Sequence, residues 1–523
     1  MSGVGAQSLS LIPLPADVKT GTGKFTITSA TKIILKTGSA EVKKTCDFFL
    51  NLINPSTGLN IGYASASASP IFVELDSLIA HPEGYRLKVT PKDITVQAKT
   101  PAGIFYAFQT LRQLLPPVIE SRTVVANRSW NIPEIEINDA PRFSYRGMML
   151  DVVRHFFPVS DVKRFIDLMA LHKFNYLHLH LTDDQGWRIE IPAYPRLQTV
   201  GAWRRETLVG HLNDTPRRYD GVRYGGYYTQ AELKELVQYA ADRYITIVPE
   251  IEMPGHATAL LASYPELSCS SGNLEVARDW GIFQNLLCPR EDTFLFLEYV
   301  LNELMNIFPG KYIHIGGDEC PKEQWQKSEY CHNLKIQNWL QTDDQLQTWF
   351  MRRIAKYVQS RGRQVIGWDE LLDGGEIPDA TIMSWRGEQG GIAAAGKGYY
   401  AIMTPYQNCY FNFYQWSKRE DEPLAEGRYL PMSTVYTYDP VPKELSDEQR
   451  RYILGTQGNL WTEYIPNMRH AEYMTYPRAC ALAEVGWTPT EKKSYNQFLN
   501  RLREHGKRLD IMNVNFARHY FAK

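Results

Sequence analysis

The chain has 523 residues, of which 44% are hydrophobic and 22% are charged, a composition that suits a globular protein and excludes disorder over its whole length. Lysine and arginine total 57 against 58 acidic residues, so the net charge of −1 offers no broad basic surface for nucleic acid or an anionic membrane. No apolar run reaches the roughly 18 residues that a transmembrane helix needs.

The seven cysteines are too few for a disulfide-based scaffold. Their odd number leaves at least one thiol unpaired within a single chain. Two pairs, Cys269 with Cys288 and Cys320 with Cys331, are open alternatives in an oxidising compartment. The amino-terminal residues lack the basic and apolar segments of an export signal. Either the protein is cytoplasmic or a signal has been removed.

Residues 1–137 predict a small α+β domain. Short apolar segments predict strands, and the last two flank a Pro-Lys-Asp turn that indicates a hairpin. The predicted strands are Ile33–Leu35, Ile71–Leu75, Tyr85–Val89 and Ile94–Gln97, and the predicted helices are Ala40–Leu52 and Ala102–Leu115. We interpret Asn131–Glu134 as a linker and Asp139–Pro141 as a turn, which together mark the boundary to a second domain, residues 138–523.

From Tyr145 onward, apolar runs alternate with amphipathic helices. The eight runs are Gly147–Val152, Tyr176–Leu181, Ile245–Pro249, Tyr312–Ile315, Val365–Trp368, Thr381–Trp385, Tyr400–Met403 and Ile453–Trp461. The clear helices are Ser160–His172, Gln230–Arg243, Thr293–Phe308, Asp344–Arg361 and His470–Glu484, and a last one near Gln497–Leu509 closes the chain. This alternation predicts a parallel sheet, and eight units predict an α/β fold of the (β/α)8 TIM barrel type. An open doubly wound sheet is the competing architecture, since the helices between the sixth and eighth strands are weak.

Enzymes with this fold place their chemistry at the carboxyl ends of the strands. These ends hold many carboxylates and several tryptophans: Asp151, Arg154, Asp183, Asp184, Glu250, Glu252, His256, Asp318, Glu319, Trp368, Asp369, Glu370, Trp385, Arg386, Trp461 and Glu463, with Tyr410 and Asn412 after the seventh strand. Each residue alone is compatible with a solvated loop. Their concentration at one end of the barrel indicates an active site.

The segment His314–Glu319 is the most specific. An apolar strand runs into two glycines, which permit a tight turn, and then into Asp318 and Glu319. Two neighbouring carboxyl groups in different surroundings can titrate apart, one protonated and one ionised. The alternative is an acidic helix N-terminus, which the helix dipole favours.

Two other patterns need separate interpretation. His178 and His180 lie on one face of a strand, as in metal-dependent barrel hydrolases, and with His256 and Asp318 they could form a zinc site. They sit within a hydrophobic run, however, which favours buried structural histidines. The segment Gly391–Gly398 imitates a phosphate loop, but it has glycine where the hydroxyl residue is needed, and its alanines predict a helix.

The aromatic residues fit a sugar substrate. A sugar ring has apolar C–H faces and a rim of hydroxyl groups, which tryptophan faces and charged side chains bind respectively. Trp368, Trp385, Trp461 and Tyr410 all lie at or just after strand ends.

The chain resembles the glycoside hydrolases of family 20, the β-N-acetylhexosaminidases. Five ordered segments are similar to that family: Ala102–Leu114, Arg146–Phe156, His180–Arg188, Pro249–His256 and the complete signature His-x-Gly-Gly-Asp-Glu at His314–Glu319. The resemblance implies hydrolysis of terminal, non-reducing β-linked N-acetylglucosamine or N-acetylgalactosamine. In this family the substrate's own 2-acetamido oxygen attacks the anomeric carbon and forms an oxazolinium intermediate, an exception to the scheme with two enzyme carboxylates.

The resemblance also implies the role of each site residue. Glu319 is the general acid and then the base, Asp318 orients the acetamido group, and Asp183 and His256 form a supporting polar network. The substrate-binding residues are Arg154, Trp368, Trp385, Tyr410, Asn412, Trp461 and Glu463. No metal and no cofactor is implied.

Two positions depart from the family pattern. Asn412 stands where the family often has aspartate, which keeps the hydrogen-bonding shape but removes a charge near the sugar's 4- and 6-positions. Glu252 stands where aspartate is common.

Three other functions are alternatives: a disaccharide-releasing member of the family, a carbohydrate-binding protein without catalysis, and a metal-dependent amidohydrolase. The expected partner is an oligosaccharide or glycoconjugate, without nucleic acid or membrane, bound by a monomer or homodimer. The family's role in trimming glycans implies a periplasmic or secreted location, with the signal absent from this chain.

Overall fold

The computed structural model describes residues 9–270 and 272–521. Residues 1–8, which begin the segment where no export signal is recognised, lie outside the described residues. Among the described residues, no helix is both long enough and apolar enough to cross a membrane.

The amino-terminal part of the chain forms one seven-stranded sheet and two helices. In sheet order the strands are Asp17–Ile27, Trp130–Asp139, Tyr85–Val89, Ile94–Ala98, Ser69–Leu75, Thr31–Leu35 and Gly62–Tyr63. The predicted hairpin is confirmed, since Tyr85–Val89 pairs antiparallel with Ile94–Ala98. The helices Ala40–Thr57 and Pro101–Leu114 contact each other through the stacked rings of Phe49 and Phe108, 4.4 Å apart. The predicted α+β character is confirmed.

The prediction of a linker at Asn131–Glu134 is wrong. These residues belong to the strand Trp130–Asp139, which pairs on both sides. Pro133, which lacks an N–H donor, lies opposite Lys24, where the partner strand has a register shift between Thr20 and Lys24. Such an irregularity is where a sheet tolerates proline. The strand extends past residue 137, and the division of the chain into domains there stays a prediction.

The second part of the chain is a closed barrel of eight parallel strands, which confirms the predicted TIM barrel and excludes the open sheet. Barrel strands 1 to 8 are Tyr145–Asp151, Tyr176–His180, Thr246–Glu250, Tyr312–His314, Gln364–Trp368, Thr381–Ser384, Ala401–Met403 and Ile453–Leu460. Strand 1 pairs with both strand 2 and strand 8, which closes the ring.

The main helices around the barrel are Val159–Leu171, Gln230–Ala241, Glu291–Ile307, Asp343–Ser360, Gln389–Gly396, Met468–Thr475, Arg478–Trp487 and the terminal helix Tyr495–Ile511. The single helix predicted over His470–Glu484 is instead two helices that break at Tyr476 and Pro477. Proline cannot donate the backbone hydrogen bond that a continuous helix needs at that point. The alanine-rich segment is the helix Gln389–Gly396, as predicted. Short elements, including Tyr406–Cys409, Met432–Thr437 and Asp447–Arg450, connect the seventh and eighth strands.

One of the two alternative cysteine pairs is present. Cys269 and Cys288 form a disulfide, whereas Cys320 and Cys331 are both free thiols, so that pairing is wrong. Cys331 lies against the disulfide instead, with its Sγ atom 3.3 Å from that of Cys269.

Candidate active site at the carboxyl end of the barrel

The barrel brings the predicted site residues to one end, because each follows or ends a parallel strand. Contacts connect nine of them into one group, in which charged residues lie beside aromatic rings. The members of this group are Arg154, Asp183, His256, Asp318, Glu319, Trp368, Trp385, Tyr410 and Trp461. Glu463 follows strand 8 and lies in the electrostatic field of Arg154. Asn412, two residues after Tyr410 in the sequence, is buried, and its amide oxygen has no hydrogen-bond partner among the described residues.

The turn after strand 4 depends on its two glycines. Gly316 and Gly317 have φ angles of +62° and +102°, which side chains rarely adopt. A Cβ atom on Gly316 would lie only 1.9 Å from the carboxyl group of Glu252. The turn is further fixed by His314, whose Nδ1 accepts the Gly316 N–H at 3.1 Å. Glu319 itself has a φ of +42°, a strained backbone conformation of the kind found at functional sites.

Asp318 is buried beside other acidic groups. Its side chain has 11% of its surface exposed, and its Oδ1 atom has no hydrogen-bond partner among the described residues. Burial, assisted by the negative charge of Glu319, raises the pKa of Asp318 from 3.8 to about 6, although His256 opposes the rise. Asp318 therefore holds a negative charge that its surroundings satisfy poorly.

Glu319 is the more accessible of the two carboxyl groups, with 33% of its side chain exposed. Its Oε2 atom lies 3.6 Å from Nε2 of His256, and the same ring nitrogen lies 3.7 Å from Asp318. The two acids thus share one imidazole but differ in burial. Such a difference lets one group exchange protons with a substrate while the other stays inside the pocket.

His256 is held as a cation by a pair of aspartates. Its Nδ1 atom lies 3.1 Å from both Asp183 and Asp184. Burial lowers the pKa of His256, but the charges of Asp183 and Asp318 outweigh it and raise the pKa well above the usual range. Asp183 remains ionised because Arg154, 2.7 Å away, and His256 depress its pKa against the effect of burial.

Aromatic rings form one side of the site. Trp461 lies 6.0 Å from Trp368 and 6.4 Å from Tyr410, and Tyr410 stacks on Trp385 at 6.2 Å between ring centres. The guanidinium group of Arg154 lies 5.0 Å from the Trp461 ring. The indole N–H of the buried Trp368 has no hydrogen-bond partner among the described residues. Apolar faces next to charged groups suit a sugar ring.

Arg154 and Glu463 form the polar side. Arg154 donates to Gln185 at 3.0 Å and contacts Asp151 and Asp183. Burial raises the pKa of Glu463 to about 7, although Arg154 counteracts it. Glu463 Oε2 has no hydrogen-bond partner among the described residues, and therefore offers an acceptor for a sugar hydroxyl.

A groove of about 380 Å³ opens next to Glu319 and is lined by Lys322, Glu370, Arg386 and Ile282 among others. Glu370 accepts the indole N–H of Trp385 at 3.0 Å, and burial raises its pKa to about 9. Glu370 was among the strand-end acids but not among the predicted binding residues. Its place two residues after Trp368, which ends strand 5, is the sequence signal that marks it.

The two strand-2 histidines that suggested a metal site are hydrogen-bonded to neighbouring side chains. Gln457 donates to His178 Nδ1 at 3.0 Å, and His178 Nε2 is paired with Glu250, also at 3.0 Å. His180 lies between Glu250 and Asp183. Because both ring nitrogens of each histidine face protein groups, the strand-2 histidines have a structural explanation that needs no metal ligand role.

Comparisons with known proteins agree with this geometry. The sequence model described as "Glycosyl hydrolase family 20, catalytic domain" matches residues 143–490, and the one for "domain 2" of the same family matches residues 8–140. A β-hexosaminidase of Porphyromonas gingivalis is 41% identical over 516 residues, which cover 98% of this chain. This chain spans 64% of the length of that relative.

Two solved structures are similar over almost the whole chain. The family 20 β-N-acetylhexosaminidase of Streptomyces coelicolor A3(2) has a TM-score of 0.85 at 32% identity, with 98% of each chain covered. The family 20 exo-β-N-acetylglucosaminidase of Vibrio harveyi, solved with N-acetylglucosamine, has a TM-score of 0.86 at 31% identity, covering 98% of this chain and 78% of its own.

Proposed function

The chain belongs to glycosyl hydrolase family 20, and we propose that it is a β-N-acetylhexosaminidase that removes terminal, non-reducing β-linked N-acetylglucosamine or N-acetylgalactosamine. The observation that carries this proposal is the pair Asp318 and Glu319. One carboxyl group is buried with its pKa raised to about 6, and the other is one-third exposed beside a groove. A retaining reaction that uses the substrate's acetamido group needs two acids with these different surroundings.

Asp318 acts on the acetamido group. The acetamido oxygen attacks the anomeric carbon of the same sugar, which avoids the entropy of bringing a second nucleophile to the site. As the oxazolinium ion forms, positive charge develops on the acetamido nitrogen. The buried charge of Asp318 stabilises this cation, and it does so strongly because little water competes for it. Its Oδ1 atom has no hydrogen-bond partner within the described part of the chain and is available to orient the acetamido N–H.

Glu319 transfers the protons. It protonates the leaving glycosidic oxygen in the first step, and in the second step it takes a proton from the water that opens the oxazolinium ring. His256, 3.6 Å away, supports the charge of Glu319 after it has given up its proton. Asp183 holds His256 in position. The groove beside Glu319 provides room for the leaving group.

The remaining side chains bind the terminal sugar. Arg154, Asn412 and Glu463 bind ring hydroxyl groups. Asn412 and Glu463 each have a buried oxygen that no group in residues 9–270 and 272–521 hydrogen-bonds, and these oxygens accept from the sugar. The rings of Trp368, Trp385 and Trp461 enclose the acetamido group and one sugar face. The Tyr410 hydroxyl donates to the acetamido oxygen and so directs its attack.

The substrate is an oligosaccharide or glycoconjugate, and the protein acts as a monomer or homodimer without nucleic acid or membrane partners. A location outside the cytoplasm, periplasmic or secreted, is supported by the Cys269–Cys288 disulfide, because such bonds persist in oxidising compartments.

Initial rates of p-nitrophenol release from the β-N-acetylglucosaminide and the β-glucoside test this function. Rapid hydrolysis of the first and little of the second are expected, because only the first carries the acetamido nucleophile. Equal rates would remove the acetamido group from the mechanism.

Replacing Glu319 by glutamine should lower kcat/KM by about 10²- to 10⁴-fold while leaving binding of N-acetylglucosamine intact. Turnover at the wild-type rate would contradict the acid/base role.

A further inference from the structure

We propose that His180 is a positioning residue for the reaction proposed above: an imidazolium held between Glu250 and Asp183, whose charge acts with those of Arg154 and His256 on Asp183 and thereby fixes His256 against the two catalytic acids. The inference rests on the proposed function for its kinetic consequences. The charge state of His180, however, is a property of the fold and can be tested separately.

Both ring nitrogens of His180 face carboxyl groups. Nε2 lies 2.9 Å from Asp183 Oδ2, and Nδ1 is hydrogen-bonded to Glu250 Oε2. An ionised carboxylate can only accept, so two such contacts require a hydrogen on each nitrogen, which makes the ring a cation. The side chain is fully buried, and its open edge is covered by the Trp461 ring at 4.9 Å. Water therefore cannot replace either carboxylate.

The groups around the ring favour the cation. Glu250 and Asp183 contact it directly, and Asp151 adds a further negative charge. Burial alone would lower the pKa of His180, but these carboxylates outweigh it and raise the pKa to about 10. The ring is therefore charged throughout the pH range in which such an enzyme works.

His178 provides an internal contrast, because it lies two residues earlier on the same strand and contacts the same Glu250. Its Nδ1 accepts a hydrogen bond from Gln457 at 3.0 Å, so only Nε2 carries a hydrogen. Burial lowers its pKa to about 4, which leaves it neutral. Two buried histidines on one strand thus have different charges, and only the charged one, His180, contacts Asp183.

From His180 the contacts lead directly to the acids. Asp183 accepts from His180 through Oδ2 and lies 3.1 Å from His256 Nδ1 through Oδ1. His256 Nε2 then faces Asp318 at 3.7 Å and Glu319 at 3.6 Å. The cations Arg154, His180 and His256 surround Asp183. Loss of His180 would remove one of these three cations, and each nearby acid would hold its proton to a higher pH.

The experiment compares kcat and KM from pH 4 to 9 for the wild type, His180→Gln and His178→Gln. Glutamine is neutral and keeps one hydrogen-bond donor and one acceptor. Both substitutions remove a buried ring, but only His180→Gln removes a positive charge, because His178 is already neutral. We expect His180→Gln to lower kcat at least tenfold, with KM changed less than threefold. The acidic limb of its plot of kcat against pH should move up by about one pH unit. This is the size of shift that removing one charge causes at a separation of about 10 Å with an effective dielectric constant of ~20. His178→Gln should keep the wild-type pH profile.

An unmoved acidic limb in His180→Gln, or an equal shift in both variants, would overturn the proposal. If His180→Gln does not fold, neutron diffraction from wild-type crystals decides: deuterium on both ring nitrogens of His180 and on one of His178 supports it, whereas a single deuterium on His180 refutes it. A wild type without activity on acetamido substrates would refute the proposed function alone, because the neutron result does not depend on turnover.

Discussion

Replacing Asp318 by asparagine should stabilise the folded protein at neutral pH while it abolishes turnover. Asparagine has nearly the shape of a protonated aspartic acid but never ionises. In the folded protein the pKa of Asp318 is raised from 3.8 to about 6, with burial as the largest cause. Above that pH the wild type must keep a charge in surroundings that disfavour it, whereas the variant does not.

The size of the effect follows from the shift in pKa. A rise of about two units, at ~1.36 kcal/mol per unit, means that ionised Asp318 costs the fold about 3 kcal/mol. Between about pH 4 and 6 the unfolded chain has already released this proton while the folded protein still holds it. The wild type therefore loses this stability as the pH rises through that window. The advantage of the variant should grow from near zero at pH 4 to about 3 kcal/mol at pH 7.

Urea unfolding of both proteins at pH 4 and pH 7 measures the difference. The matched control is Asp183→Asn, the same chemical change in the same site. Asp183 is ion-paired with Arg154 and His256, and its pKa is well below the usual range. That substitution should destabilise the protein at pH 7. The reasoning fails if Asp318→Asn is no more stable than the wild type at pH 7, or if its advantage is the same at both pH values.

Two further results are expected. Cys269→Ala should lower the free energy of unfolding by about 3 kcal/mol, the entropic value for a loop of 19 residues. Cys288→Ala should lower it less under oxidising conditions, because Cys331 can replace Cys288 as the partner of Cys269. Disulfide mapping checks the new bond, and equal losses with no Cys269–Cys331 bond would contradict this. Activity should survive EDTA, because the strand-2 histidines are engaged by protein groups; loss that zinc restores would favour a metal-dependent hydrolase.

The barrel could be predicted because its strands are buried on both sides. Such strands appear as short apolar runs, and the polar residue that follows each run marks the carboxyl end. Segments such as Tyr176–His180 and Thr381–Ser384 therefore identify both the fold and the position of the site. The break between two helices at Pro477 and the strand Trp130–Asp139, which contains Pro133, were not predicted. Whether a proline ends a helix or strand depends on the segments packed beside it, which the local sequence does not show.

The convergence of the strand-end residues at one end of the barrel could be predicted, but their charge states could not. Whether Asp183 is ionised depends on Arg154, His256 and His180. Whether Glu370 is protonated depends on its burial and on the nearby charge of Asp318. These contacts join different strands, so no spacing in the sequence reveals them. The same limit applied to His178 and His180, which are indistinguishable by pattern, although in the fold the first is neutral and the second is a cation.

The distribution of charge explains why the acids nearer the turn after strand 4 are the poorly satisfied ones. Glu250 and Asp183 lie deepest, contact histidine or arginine, and have lowered pKa values. Glu252 and Asp318 lie nearer the turn, and burial raises the pKa of each. The deep carboxylates contact the nearby cations directly, whereas Asp318 has only His256 at 3.7 Å, and its Oδ1 has no hydrogen-bond partner in the described part of the chain. The cation that develops on the acetamido nitrogen would supply one, and an interaction gained only as the transition state forms lowers the barrier rather than tightening substrate binding. The stability lost at Asp318 and the rate gained there would then have one cause, which is why Asp318→Asn should change both in opposite directions.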